Sequence, residues 1–187
     1  DGWLIRLADG QTRRTNSVNI LSDGSLPVAA KVEYCEDIYR RHGLATYFRI
    51  LSTAGDTLDA LLEARGYDAQ DETSTLFMDF DVHAPPRRFA RAVELTKGQP
   101  NEEWLSARGR MAGQSESEAK KVEKILQQLA LPAVFAAVRD EGGVIRSVAK
   151  GAVHDQIACL NLVVTDPAFR QRGYAQDCVA AILRWAA

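Results

Sequence analysis

Leu160-Asn161-Leu162-Val163-Val164-Thr165-Asp166-Pro167-Ala168-Phe169-Arg170-Gln171-Arg172-Gly173-Tyr174-Ala175 lies close to the end of a 187-residue chain and decides how the rest is read. Residues 157–165 are the most strongly β stretch in the sequence, and Pro167 stops them. Beyond the turn, Ala175, Val179, Ile182, Leu183 and Ala186 fall on one face of a helix. Arg170 to Ala175 therefore places the pattern R/Q-x-x-G-x-G/A between a strand and a helix. The first turn of a helix leaves backbone N–H groups without intrahelical partners, and its dipole favours negative charge. A pyrophosphate suits such a place. Gly173 has no side chain to hold an anion away from the backbone, and Ala175 intrudes little. The pattern alone is common, and a surface turn capping a helix would also produce it. The strand before it and the periodic helix after it favour the anion site.

Working outward, residues 82–88 (V-H-A-P-P-R-R) carry two successive prolines flanked by charge, which reads as a linker. Behind it, residues 92–95, 133–138 and 144–153 are strands, the last two joined by a Gly142-Gly143 turn. Trp104, Leu105, Arg108, Met111 and Ala112 trace one helix face. A second helix carries Val122, Ile125, Leu126 and Leu129, with Ser115 and Glu118 spaced as a capping box. Before the linker, residues 3–7 and 18–21 are strands around an Asp9-Gly10 turn. Pro27 then opens a helix with Val28, Val32, Cys35 and Tyr39 on one face, and Gly43 closes it. A strand over 46–51, a short helix with Leu58, Leu61 and Leu62, and a strand over 75–80 complete this half. Mixed strands, hairpins and helices give an α+β class. Residues 18–23 faintly echo 160–166, each before a helix, so the chain divides into 1–82, a linker at 83–91, and 92–187.

Composition is ordinary for a globular protein, with 46% hydrophobic and 26% charged residues. A net charge of −2 gives no electrostatic reason for a nucleic-acid or membrane partner. No run approaches the roughly 18 apolar residues of a membrane span. Cys35, Cys159 and Cys178 sit in apolar-periodic stretches without a C-x-x-C pair, so reduced, buried cysteines and a cytoplasmic location are expected. His42, His83 and His154 are scattered, and no metal is expected.

The stretch from Leu160 closely resembles the cofactor motif of the GNAT superfamily of N-acetyltransferases. That resemblance implies the acyl-CoA N-acyltransferase fold, here as two GNAT-like halves with mixed central sheets. It also implies acetyl-CoA as co-substrate. Backbone groups of Val163, Val164 and Thr165 would pair with pantetheine, and Arg170, Gln171, Arg172, Gly173, Tyr174 and Ala175 would line the pyrophosphate, chiefly through amides. The side chains of Arg170 and Arg172 either add charge there or are merely solvated. Residues 61–67 resemble the family's closing helix and Gly-aromatic turn. Residues 23–27 lack the glycine motif, which makes the first half degenerate for cofactor binding. The opening G-W-L-I-R-L-A-D-G with R-R-T-N-S-V-N resembles bacterial tandem-GNAT proteins. The family's domain normally continues beyond its cofactor helix, so the second half is expected to be truncated at Ala187, unless the first half supplies the equivalent elements. The sequence also opens at Asp1 without a methionine.

The implied reaction is direct attack of an amine, from a small molecule or a peptide, on the thioester in a ternary complex. Free amines have pKa values of about 8 to 10.4, so a base and oxyanion donors are required. The cofactor strand offers Asn161 and Thr165 but no carboxylate. His154 and Asp155 fall in a hairpin turn, and Glu94 is a candidate base. Cys159 reads as core rather than as an acyl-carrying nucleophile. Trp3, Arg6, Asn16, Ser17 and Asn19 either line an acceptor cleft or satisfy one another. A non-catalytic acyl-CoA-binding module and a scaffold without cofactor binding remain alternatives, as does a longer acyl group. The sequence carries no signal for an oligomeric state.

Overall fold

A computed structural model describes residues 1–10, 12–51, 56–80 and 90–187. They fall into two units, Asp1–Thr75 and Leu76–Ala187.

In the first unit, β1 (Trp3–Ile5) pairs antiparallel with β2 (Val18–Ile20), which pairs in parallel with β3 (Phe48–Arg49). A parallel pair needs a crossover, and α1 (Val28–Arg41) provides it. Pro27 is its N-cap, and Val32, Cys35 and Tyr39 are buried as their spacing predicts. Burial pushes the Cys35 thiol up to about 11, with Glu36 acting in the same direction. Tyr39 donates its hydroxyl to the Arg6 carbonyl at 2.7 Å. On α2 (Asp56–Ala64), Leu58 and Leu62 pack on Val32. Beyond Gly66, Tyr67 stands edge-on to Phe48 at 5.4 Å.

The polar residues of this unit satisfy local needs. Asn16 is 3% exposed, accepts from the amides of Ala8 (2.7 Å) and Gly10 (3.1 Å), and donates to the Thr12 carbonyl. Asn19 donates to Ser17, and Ser17 to the Arg14 carbonyl. These bonds close the β1–β2 connection.

The strands of the second unit, β4 (Val93–Lys97), β5 (Ala133–Arg139), β6 (Ile145–His154) and β7 (Ile157–Thr165), form an antiparallel sheet in that order. One face packs on α3 (Glu102–Met111) and α4 (Glu116–Gln127), the other on α5 (Tyr174–Ala186). Because both faces are covered, β5 is buried almost end to end rather than on alternate residues. On the α3–α4 face, Trp104 is edge-on to Phe135 at 5.1 Å and donates its indole N–H to the Ala136 carbonyl. Ser115 and Glu118 form the expected capping box. On the other face, Cys178 and Ile182 of α5 pack against Val134, Ala136, Val138 and Ala149. Among the described residues no helix is long and apolar enough to cross a membrane.

Two sequence expectations are corrected. No strand forms over 75–80, where Leu76 is 93% and Phe77 86% exposed, because no neighbouring strand is present among the described residues to pair their backbone. The expected linker at 83–91 lies outside the described residues up to 89. Its last two residues, Ala90 and Arg91, are bonded to Asp177 of α5 and so belong to the folded unit.

Gly151 sits where β6 passes beneath α5, and a Cβ there would collide with the Ile182 side chain. Gly151→Ala is expected to lower stability by about 1–3 kcal/mol, read as a shift of the urea midpoint without a change in slope.

Candidate functional site

β7 is an edge strand whose outer backbone groups have no strand partner among the described residues. Its pairing with β6 slips once. Val148 faces Val164 and Lys150 faces Asn161, so two steps on β6 are matched by three on β7. The extra residue is accommodated at Leu162, which has a φ of +53°, as in a β-bulge. Leu162 and Val164 consequently both pack toward the α3–α4 core, while Val163 between them is 43% exposed.

After Thr165 the chain makes a short 3-10 turn, Pro167–Phe169, capped by the Asp166 carboxylate accepting from the Ala168 amide at 3.1 Å. Arg146 donates to the same carboxylate at 2.7 Å and Arg110 at 3.4 Å. Burial alone would raise the Asp166 pKa, but these bonds hold it below the ordinary value. The Phe169 ring meets the guanidinium groups of Arg146 at 4.2 Å and Arg172 at 5.3 Å, and Tyr174 edge-on at 5.5 Å.

Past this brace the backbone turns left-handed twice, at Gln171 (φ +58°) and Gly173 (φ +84°). Gly173 is the N-cap of α5 and requires that conformation, which a side chain would strain. Among the described residues, the N–H groups of residues 171–176 make no hydrogen bond; the first to find an acceptor is Asp177, to the Gly173 carbonyl at 3.0 Å. Alternating backbone hand at a helix N-terminus concentrates amide donors, a concavity suited to an anion.

These amides border a groove of about 660 Å³. It brings together Val163, Val164, Thr165, Arg170, Gln171, Gly173, Tyr174 and Ala175, with Met111 and Ala112 from the end of α3 and Gln176 from α5. Arg170 is exposed and bends back to the Thr165 carbonyl at 3.4 Å.

Several expectations change. The Arg172 guanidinium lies toward Phe169 rather than the groove, and its carbonyl accepts from Arg91 at 2.9 Å. Tyr174 contributes its backbone end, since its ring is buried in the α5 core. Cys159 is exposed rather than core, because β7 is an edge strand and this position lies near its outer end. Glu94 stands on β4, separated from β7 by two strands, and its carboxylate is tied to Arg139 at 2.7 Å. His154 and Asp155 lie at the β6–β7 turn, as expected.

Sequence reasoning missed three residues. Leucine has no preference for positive φ, so nothing local announces the Leu162 bulge. Arg91 sits in a Pro-Arg-rich stretch that reads as solvated. It nevertheless donates to Asp177 at 2.9 Å, holds the Arg172 carbonyl, and lies 4.0 Å over the Tyr174 ring. Lys150 did leave a signal, as a cation between the apolar pairs Val148-Ala149 and Ala152-Val153 of a β run. It is buried, and burial pushes its pKa down.

The family model described as probable histone acetyltransferase Rv0428c C-terminal matches residues 1–187. The chain belongs to that family. Among solved structures, it is similar to the aminoglycoside N-acetyltransferase AAC(6')-Iy in complex with CoA, at 24% identity. That match covers 52% of this chain and 72% of the other, with a TM-score of 0.34. No curated protein sequence matches the chain.

The Asp177 carboxylate is 7% exposed and holds the start of α5 through Arg91 and the Ala90 amide. Arg91→Ala is expected to cost about 1–3 kcal/mol by leaving that carboxylate half-satisfied. Adding Asp177→Asn should cost less than the sum of the two single changes in a urea-unfolding double-mutant cycle.

Proposed function

We propose that the second unit binds acetyl-CoA and that the chain belongs to an N-acetyltransferase transferring the acetyl group to an amine. The observation that carries this reading is the run of unbonded amides over residues 171–176, opening on a groove continuous with the free edge of β7. The amides suit a pyrophosphate, with the α5 dipole reinforcing them. The edge at Val163, Val164 and Thr165 spans about 10 Å at ~3.3 Å per residue, and an extended chain bearing amide groups can pair there as an added strand. The thioester would then lie near the Leu162 bulge. There the amine nitrogen forms a bond to the carbonyl carbon, the C–S bond breaks, and the sulfur leaves with the electron pair and takes a proton. Backbone N–H groups at the bulge are suited to the developing oxyanion.

The first unit has the same strand-to-helix passage between β2 and α1, but two amides just ahead of the helix are already used. The Asp1 side-chain carboxylate accepts from Ser25 at 2.9 Å and from Leu26 at 2.7 Å. An internal carboxylate standing where a phosphate would bind supports reading this half as a degenerate GNAT-like domain. The histone in the family's description is the acceptor of the protein so described; for this chain the reading extends to an amine. A binding module without turnover shares the same site, and the lack of a carboxylate on β7 favours it. Turnover of acetyl-CoA with an amine separates the two.

Calorimetric titration with acetyl-CoA tests the site. Gly173 is a poor target because any side chain there strains the backbone. Ala175→Glu instead places a carboxylate in the first turn of α5, where it favours the helix by about 0.3–1 kcal/mol and repels a pyrophosphate. The parent is expected to bind, and the variant to keep or raise its melting temperature while losing affinity at least about tenfold. Equal binding by both proteins, or none by the parent, would sink the proposed site.

A further inference from the structure

Lys150 and Asn161 stand opposite each other in the β6–β7 register, one residue before the Leu162 bulge. Both lie on the face toward α3 and α4, since Lys150 alternates with Val148 and Ala152, which belong to that core. Lys150 is 8% exposed, and its ammonium has no hydrogen-bond or ion-pair partner among the described residues. The side-chain oxygen of Asn161 is sealed from solvent and likewise unpartnered. The other such atom among the described residues, Nε of Arg108, belongs to a guanidinium already bonded to Gln114. Lys31, as deeply buried, has its ammonium on the Asp23 carbonyl and 4.7 Å over the Trp3 ring. The pattern at Lys150 is therefore not how this chain treats its other buried cations.

A buried acceptor without a donor costs free energy, while the Lys150 ammonium, whose stem is buried, is not among the sealed atoms and keeps its tip accessible beside it. Side chains paired across neighbouring strands start roughly 5 Å apart, so a small group can touch both. What complements them is a ligand with an N–H for Asn161 and an oxygen for Lys150. Cys159, exposed and 4.0 Å from the Asn161 amide nitrogen, marks the solvent side of the cluster.

We infer that Lys150 and Asn161 form a two-point acceptor subsite selecting an amine whose neighbouring carbon bears a carbonyl or carboxylate oxygen. Asn161 accepts from the amine and holds it beside the bulge, while Lys150 takes the oxygen. This chemistry is that of an α-amino group, in a free amino acid or at a peptide N-terminus. A side-chain amine on a long aliphatic stem would satisfy Asn161 and leave Lys150 unpaired. The inference rests on the acetyl-transfer reading, because that reading makes the amine the acceptor.

The test is ligand-observed NMR titration of the chain, with and without CoA, using alanine, alaninamide and isopropylamine. The last has the same branched carbon without the oxygen. One or both of the oxygen-bearing amines should bind about ten- to a hundredfold more tightly than isopropylamine, the gain of a hydrogen bond to a charged group. Preference for alanine indicates a free amino acid, and preference for alaninamide a peptide terminus. Lys150→Met, similar in length and apolar, should bring the three within about twofold while leaving CoA affinity within about threefold. Equal binding of all three by the parent, binding of none, or a preference surviving in Lys150→Met would overturn the subsite. Should Lys150→Met fail to fold, the comparison in the parent still decides. Failure of CoA to bind would remove the cofactor reading separately, with the amine preference then judged from the titrations without CoA.

Discussion

The slip in the β6–β7 pairing is the constraint on which the site depends. Without the extra residue at Leu162, strict alternation would place Leu162 and Val164 on the face opposite Asn161, away from the α3–α4 core, and leave no irregularity at the sheet edge. With it, the strand divides into an outer part, where Asn161 meets Lys150, and an inner part, where Val163 is turned out beside the groove. A positive φ at leucine is uncommon, and here the surrounding packing holds it: Leu162 and Val164 are both anchored in the α3–α4 core. The same core therefore stabilises the sheet and sets the register of the edge.

The loop that follows is held from both sides. Asp166, with Arg146 and Arg110, fixes its start, while Asp177, with Arg91, fixes the beginning of α5. Between these two anchors the amides are left unbonded. Arg172 and Tyr174 illustrate the division of labour: their side chains pack against Phe169, Arg91 and the core, and their backbone faces the loop. Rigid supports around free donors are what pre-organised anion sites require, because little further ordering is needed when the ligand arrives.

Much of this was legible in the sequence where local rules decide. The bounds of β7, the stop at Pro167, the capping box at Ser115 and the stripe on α1 all follow from periodicity and capping chemistry. Val163 to Thr165 and the loop residues were expected from the family resemblance, whereas Met111, Ala112 and Gln176 were not. Other features depend on contacts distant in sequence. Arg91 reaches a carboxylate 86 positions away, and no composition rule separates it from the solvated arginines around it. Residues 75–80 have the alternation of a strand, yet a strand exists only where a neighbour pairs it. Glu94 had the right chemistry for a base, but the order of strands places it at the opposite edge of the sheet.

The exposure of one thiol bears on how the molecule is handled. Cys35 is buried, and Cys178, also buried, is pushed up to about 12, chiefly by its burial, so neither is a ready nucleophile. Cys159 lies open to solvent within two residues of Asn161. Chromogenic disulfides that report released coenzyme would also be consumed by the protein itself, giving a background of one equivalent. The same accessibility makes Cys159 a natural point for attaching a spectroscopic label at the outer end of β7.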